Sequence, residues 1–366
     1  MKRFFVLLLA ALMLLGMLSA CGKQPQPEET ETPAAHQAVE ATEEPAPTEE
    51  PAPTEEPAPT EEPAPTEEPA PTEEPLDLGE NVPLMWKVTD ADGHALYLFG
   101  TIHVGDERTE AVLARVSPVL ESCDALAVEF DTVAYTEDTQ QAVNDMMQYM
   151  LTDGSSVSDY MPEELYQRSY DLLQKAGLFP TLFNRYNVAM WAQLIDSAML
   201  MVYSSLDSEL GMDGLLIHRA YDGEIPVMDV ESAEFQMSLL NSFDNELYLM
   251  QIEAALDSAD TYNDDLIEMY ELWLSGDRDA FWALLAGEEA DEEADGDYTE
   301  EQIALLEDYN RKLLDERNLG MRDRAEEYLA SGQTVFFAVG AAHMANEMGL
   351  VQLLTDAGYT VEPFEY

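Results

Sequence analysis

The chain has 366 residues, with 75 acidic against 16 basic side chains and a formal net charge of −59 at pH 7. A chain so negative is repelled by phosphate backbones and anionic headgroups, which excludes nucleic acid as a partner and electrostatic docking to a lipid surface. Two cysteines, Cys21 and Cys123, are too few for a disulfide-framed scaffold.

In chain order, Lys2 and Arg3 precede an apolar run from Phe4 to Leu15. The run is too short to span a bilayer comfortably and fits a secretory signal peptide over residues 1–20. It ends in Leu18-Ser19-Ala20-Cys21, which resembles the lipobox of bacterial lipoproteins, with Cys21 as the lipidated new N-terminus. The alternative is ordinary secretion after an Ala-x-Ala-like site, with Cys21 incidental. Residues 21–80 hold almost no large apolar side chain after Cys21, and from Thr42 they repeat Thr-Glu-Glu-Pro-Ala-Pro as far as Pro75. Such a segment cannot bury enough surface to offset its ordering entropy and is expected to be an extended tether. The expected location is extracytoplasmic, lipid-anchored to the bacterial cell membrane, or to the outer membrane in a two-membrane envelope. Residues 22–80 carry 18 of the 75 acidic side chains, so most of the charge belongs to residues 81–366. That stretch is long enough to bury a sizeable core.

Leu84–Thr89 and Ala95–Phe99 flank the turn-rich Asp90-Ala-Asp-Gly93 and predict a hairpin. Thr109 reads as the N-cap of a helix over Ala111–Leu120, and Asp124–Phe130 as a buried strand with Glu129 at its exit. Strand, helix, strand in that order predicts a βαβ unit. Pro162 to Gly177 predicts a helix between a good N1 residue and a good stop. Asn187–Tyr203 predicts a buried, Met-rich helix whose methionines are core filler. Gly211-Met-Asp213-Gly214 reads as a loop before a helix over Leu215–Tyr221. Glu224–Glu231 has strand length, with Pro226 confining it to an edge or a strand start. Further helices are expected over Ala233–Leu256, Asp264–Ser275, Thr299–Glu316 and Arg322–Ala330. Between them Glu288–Asp297 is an acidic loop whose spacing does not match an EF-hand. Thr334–Gly340 predicts a buried strand, Met348–Asp356 a helix and Gly358–Phe364 a last strand.

Two of these strands end alike. Tyr97-Leu-Phe-Gly100 is followed by Thr101, Ile102 and His103, and Phe337-Ala-Val-Gly340 by Ala341, Ala342 and His343. A glycine at a strand exit lets the chain turn sharply and lets other groups come close. Ligands bind outside the carboxyl ends of strands in sheets covered by helices, so the two units can aim two imidazoles at one crevice. Of the five histidines, His36, His94 and His218 fall in the tether, a turn and a helix, and read as background. Two imidazoles and a carboxylate form a ligand set that leaves positions open for water and substrate, as metal-assisted hydrolysis requires. Glu129 is the best-placed carboxylate, and Glu231 suits either ligand or general base. Arg317 by itself reads as a charge on a helix surface, although a guanidinium can stabilise an oxyanion or grip a carboxylate.

These residues carry a resemblance. Tyr97–Gly105, Glu129, Gly211-Met-Asp213, Val230-Glu231-Ser232 with Gln236, Arg317-Asn318 with Met321, and Val339–His343 followed by Gly349-Leu350 and Gly358-Tyr359 together resemble the TraB/GumN family, which includes the Tiki metalloproteases. The resemblance covers nearly all of residues 84–366. It implies an α+β fold whose mixed central sheet is built from two similar βα halves, each carrying a Gly-x-x-His motif, with a large, mainly helical middle region. It also implies a divalent-metal-dependent peptidase (Mn, Co or Zn) acting on a peptide or protein substrate. His103, His343 and Glu129 would hold the metal, with Glu129, Glu231, Arg317 and Asn318 as catalytic residues. Asp229-Val-Glu231-Ser232 departs from the family's usual Gly-Leu-Glu-Thr but keeps the glutamate. Bacterial members are linked to inhibition of peptide pheromones, which leaves a non-catalytic, peptide-sequestering lipoprotein as the alternative.

Overall fold

The computed structural model describes residue 78 and residues 82–286 and 298–366. The expected signal peptide, Cys21, nearly all of the tether and the whole acidic stretch Glu288–Asp297 lie outside the described residues.

Six strands make one mixed sheet: β1 Met85–Thr89, β2 Ala95–Thr101, β3 Ala125–Val128, β4 Val227–Asp229, β5 Val335–Gly340 and β6 Thr360–Phe364, in the order β4-β3-β5-β2-β1-β6. The four strands β4, β3, β5 and β2 run parallel, whereas β1 and β6 add antiparallel pairs at the other side. Every residue of β5 is buried, as its unbroken apolar sequence requires of a strand covered on both faces. Its side chains alternate between two cores, in keeping with the two-residue period of a strand. Phe336 and Ala338 join Phe99, Leu126 and the helices of the middle region, while Val335, Phe337 and Val339 join Leu96, Leu98 and the helices Glu316–Ser331 and Leu350–Asp356. The result is a sheet between two helical layers, the mixed α/β architecture that the sequence implies.

Several local expectations need correction. β2 and β3 are not neighbours, because β5 from the far end of the chain pairs in parallel with both and separates them. The first helix starts at Glu107 with Asp106 as its N-cap, and Thr109 sits inside the first turn with its hydroxyl on Tyr270. Pro162 is the N-cap of the helix Glu163–Lys175 rather than its first residue. The stretch expected as one helix over Ala233–Leu256 is two, Ala233–Leu240 and Asn245–Asp257, since Asp244 caps a new start. A further helix, Arg278–Ala286, follows the left-handed Gly276. The expected break between Glu316 and Arg322 is absent. Helix Glu300–Asn310 passes through a π-turn at Arg311–Asp315 into Glu316–Ser331.

The correction with most consequence concerns Gly211-Met-Asp213-Gly214. Helix Met212–Asp222 begins there, with Gly211 as N-cap and the Met212 amide donating to the Ile102 carbonyl at 2.7 Å. A Cβ at Gly211 would lie 2.3 Å from the His103 carbonyl oxygen, whereas one at Gly214 meets nothing within 4 Å. Gly211→Ala should therefore cost about 1–3 kcal/mol by overpacking backbone against backbone. Gly214→Ala should be neutral or stabilise by up to about 1 kcal/mol through helix propensity. Urea unfolding midpoints moving in opposite directions would confirm this packing; a tolerated Gly211→Ala would refute it.

Candidate functional site

The parallel strands β2, β5, β3 and β4 end level with one another, with Thr101 opposite Gly340 and Val128 opposite both Ala338 and Asp229. Beyond those carboxyl ends lie His103, His343, Glu129 and Glu231. The β3–β4 pairing continues past the strands, through Val230 N to Val128 O and Glu231 N to Glu129 O, both 2.8 Å. Two carboxylates are thereby delivered side by side.

Arg317 holds that pair together. Its Nη2 donates to Glu129 Oε2 at 2.5 Å and to Glu231 Oε2 at 2.7 Å, and its Nε donates to Glu231 Oε1 at 3.0 Å. Gln236 Nε2 also donates to both carboxylates, at 2.9 Å to Glu129 and 2.8 Å to Glu231. Nη1 of Arg317 donates to the Leu313 carbonyl at 3.2 Å. Leu313 lies in the π-turn, a widened helical turn that occurs mostly at functional positions. The side chains of Glu129, Glu231 and Arg317 keep only 12%, 9% and 10% of their exposure, and the guanidinium spends its bonds on carboxylates of the protein itself. Burial alone would raise the Glu129 carboxyl, but Arg317 and the nearby imidazoles hold it well below the usual carboxylate range.

The glutamate's other oxygen turns toward the histidines. Oε1 accepts from the Gly340 amide at 2.9 Å and lies 3.8 Å from His343 Nε2. A Cβ at Gly340 would come within 3.3 Å of that oxygen, so glycine leaves room for the carboxylate against the backbone.

Each imidazole is fixed through Nδ1. Asn318 Nδ2 donates to the Met348 carbonyl at 2.8 Å, which turns its Oδ1 to His343 Nδ1 at 2.6 Å. His343 therefore carries its proton on Nδ1 and presents Nε2 as an acceptor. Burial, reinforced by the Arg317 charge, lowers its pKa to about 3, so the ring is neutral. His103 Nδ1 lies 2.7 Å from Asp213 Oδ2, and Thr101 donates to Asp213 Oδ1 at 2.5 Å. Oδ2 closes no aligned hydrogen bond, so the contact is an ion pair. Burial disfavours charge on His103, but Asp213 and then Glu129 outweigh it and raise the pKa to about 9. His103 and Asp213 keep 22% and 18% of their side-chain exposure, against 4% for His343, so the centre opens on the His103 side.

The donor chemistry suits a divalent cation in part. Metal-ligating histidines characteristically hand their second nitrogen to a carboxylate or carbonyl oxygen; His343 does so through Nδ1 onto Asn318 Oδ1, and His103 sets Nδ1 against Asp213 as an ion pair. Ligands of one zinc-sized ion lie within about 4.2 Å of each other when each bond is about 2.1 Å, a limit that His343 Nε2 and Glu129 Oε1 satisfy at 3.8 Å. Among the described residues, however, no group of three His, Cys, Asp or Glu side chains stands ready to hold a metal ion.

Every expected site residue of the folded region is thus gathered at one place: His103, His343, Glu129, Glu231, Arg317 and Asn318. Gln236 entered the sequence reading only among the residues of the family resemblance, and Asp213 there and as part of an expected loop. Reading Asp213 as loop hid its position in the first turn of a helix docked on the His103 backbone.

Fold and site define an α/β protein with a histidine–carboxylate–arginine centre at the carboxyl ends of four parallel strands. The chain belongs to the TraB/PrgY/gumN family, which matches residues 84–363. It is similar to the uncharacterized protein YbaP of Escherichia coli K12, at 26% identity over 265 residues, spanning 70% of this chain and 87% of that one. The YbaP protein of Shigella flexneri is similar to the same extent. No solved structure gives a significant match.

The pH dependence of stability isolates the His103–Asp213 pair. A histidine whose folded pKa is raised to about 9 contributes stability that is fully present below about 6.5, its unfolded value, and is lost as the pH rises through 9. In chelator-treated protein the unfolding free energy should fall by on the order of 2–3 kcal/mol between those limits, and Asp213→Asn should abolish most of that fall. An equal slope in both proteins would contradict the pairing.

Proposed function

We propose that the protein is a membrane-anchored, extracytoplasmic, metal-dependent hydrolase acting on peptides. The observation that carries the reading is that Asp213 and Asn318 face Nδ1 of His103 and of His343, with His343 Nε2 3.8 Å from Glu129 Oε1 and His103 within electrostatic reach of the same carboxylate. A divalent cation such as Mn, Co or Zn would supply Lewis acidity there and lower the pKa of water. His103 and His343 are its proposed ligands, and Glu129 Oε1 is the carboxylate oxygen left to complete the set or to take a proton from water. At neutral pH the cation would replace the Nε2 proton of His103, so binding should weaken as the pH falls. Arg317 keeps Glu129 ionised, Arg317 and Gln236 orient both Glu129 and Glu231, and Asn318 sets the tautomer of His343. The N-terminal sequence supports the anchor.

A second reading is a lipoprotein that binds and sequesters a peptide without cutting it. It is favoured by the hydrogen bonds that Arg317 and Gln236 make to both Glu129 and Glu231, which commit these carboxylates to partners within the protein.

The two readings separate on a mixed peptide library incubated with the full chain, with and without added Mn, Co or Zn, and followed by mass spectrometry. Metal-stimulated cleavage, reduced at least a thousandfold in His103→Ala and in His343→Ala with folding intact, is the expected result. Undiminished cleavage in the double variant would overturn the roles given to the histidines. Peptides retained but intact after long incubation would favour sequestration.

A further inference from the structure

Beside the two histidine turns lies a pocket of about 330 Å³, counted out to its open mouth. The antiparallel β1 starts opposite Phe99, where β2 is about to end, so a pocket at that junction shares the carboxyl end of the sheet with the site. Leu84 and Trp86 form one wall, and Leu272, Trp273 and Phe281 come from the helices Tyr262–Ser275 and Arg278–Ala286. The remaining wall belongs to the histidine turns themselves. It consists of Gly100, three residues before His103, and of Ala341 and Met344, the first and last residues of the short turn that holds His343. A Cβ at Gly100 would lie 2.9 Å from Ala341 Cα and 3.3 Å from Met344 Cγ. Whatever presses on this wall therefore presses on the turn that carries His343.

The lining decides what fits. Trp86, Trp273, Phe281 and Met344 are buried, Leu84 and Leu272 half-buried. The Trp273 indole N–H is already spent on the Gly100 carbonyl at 2.8 Å. Aromatic rings and a thioether make a surface suited to an aromatic or branched aliphatic group. The volume is near the lower end of the range for small-ligand sites, which suits one such side chain better than a long acyl chain. The exposed rim carries both signs of charge, on Asp277 and Arg278. Asp277 caps its helix by accepting from the Ala280 amide at 3.0 Å, and Arg278 pairs with the exposed Asp279. A ligand anion would be repelled by Asp277 and a ligand cation by Arg278. A neutral peptide backbone offers N–H groups to the one and carbonyls to the other.

We propose that this pocket is the subsite that receives an aromatic or branched aliphatic side chain of a peptide held at the histidine centre. The proposal rests on the peptide reading above, yet requires only binding and not cleavage.

Binding is tested on the full chain labelled with fluorotryptophan and ring-15N histidine, and titrated with N-acetylphenylalanine N′-methylamide and its leucine counterpart. The alanine counterpart and laurate serve as controls. Of the four tryptophans, Trp86 and Trp273 line the pocket. Their fluorine signals should move with the phenylalanine and leucine probes while that of Trp191 stays, and the His343 ring signal should move over the same range of probe concentration. Leu272→Glu should weaken the response about tenfold or more, the worth of burying one such side chain. Leu84→Gln should do the same and serves if the first variant does not fold. Trp86 and Trp273 signals that ignore the probes, or that follow the alanine probe or laurate equally well, would overturn the proposal. A His343 signal that stays while the two tryptophans move would detach the pocket from the centre and overturn it as well. In the His103→Ala/His343→Ala double variant the tryptophan response should persist, because neither histidine lines the pocket. A protein that binds no metal and cleaves nothing, but shows these shifts, would lose the hydrolase reading and keep the subsite.

Discussion

Two glutamates side by side under cover of protein cannot both stay ionised unless a cation sits between them. That constraint organises the centre of this molecule. Glu129 and Glu231 are brought together by the parallel register of β3 and β4, and the guanidinium of Arg317 bonds to both. Removing one partner from such a buried set typically costs about 3–5 kcal/mol, so the arginine belongs to the fold as much as to the chemistry. Its own place depends on the helix that carries it. The π-turn at Arg311–Asp315 sets the Leu313 carbonyl where Nη1 can donate to it. The next residue, Asn318, points a third of a turn away and reaches His343. Two consecutive residues therefore orient both carboxylates and one imidazole.

The two imidazoles share their placement and differ in their electrostatics. His343 is enclosed, neutral and held by an amide, whereas His103 lies at the open side and is paired with a carboxylate. One ring thus offers a bare acceptor, and the other carries a proton that a ligand or cation must displace. Such an asymmetric pair suits a centre in which one group receives a proton while the other stabilises negative charge. The asymmetry follows from second partners that lie far from the histidines in sequence.

How much of this was legible in the sequence depends on how local each signal was. The apolar runs that end at Gly100 and Gly340, the exit of Glu129 from β3 and the start of β4 just after Pro226 are local signals, and each was readable. Strand adjacency was not, because β5 enters between β2 and β3 only after more than two hundred residues have been threaded. Arg317 alone reads as a surface charge on a helix, and only the family pattern marked it for the site. Asp213 was misplaced because the glycines at 211 and 214 mimic a loop. Gly211 is instead demanded by the His103 backbone pressed against it, and Gly214 is tolerated where a Cβ would meet nothing within 4 Å. The π-turn has no local signature that separates it from an ordinary helix, since its cause is tertiary.

The central claim is that two imidazole Nε2 atoms, each fixed through Nδ1, converge on one place beside Glu129. X-ray absorption on the full chain reconstituted with cobalt addresses it directly, because imidazole scattering counts the histidines on the metal. The account predicts one cobalt per chain with two imidazoles in its shell, and loss of the metal in the His103→Ala/His343→Ala double variant. Cobalt that does not bind, or that keeps the same shell when both histidines are gone, would contradict it.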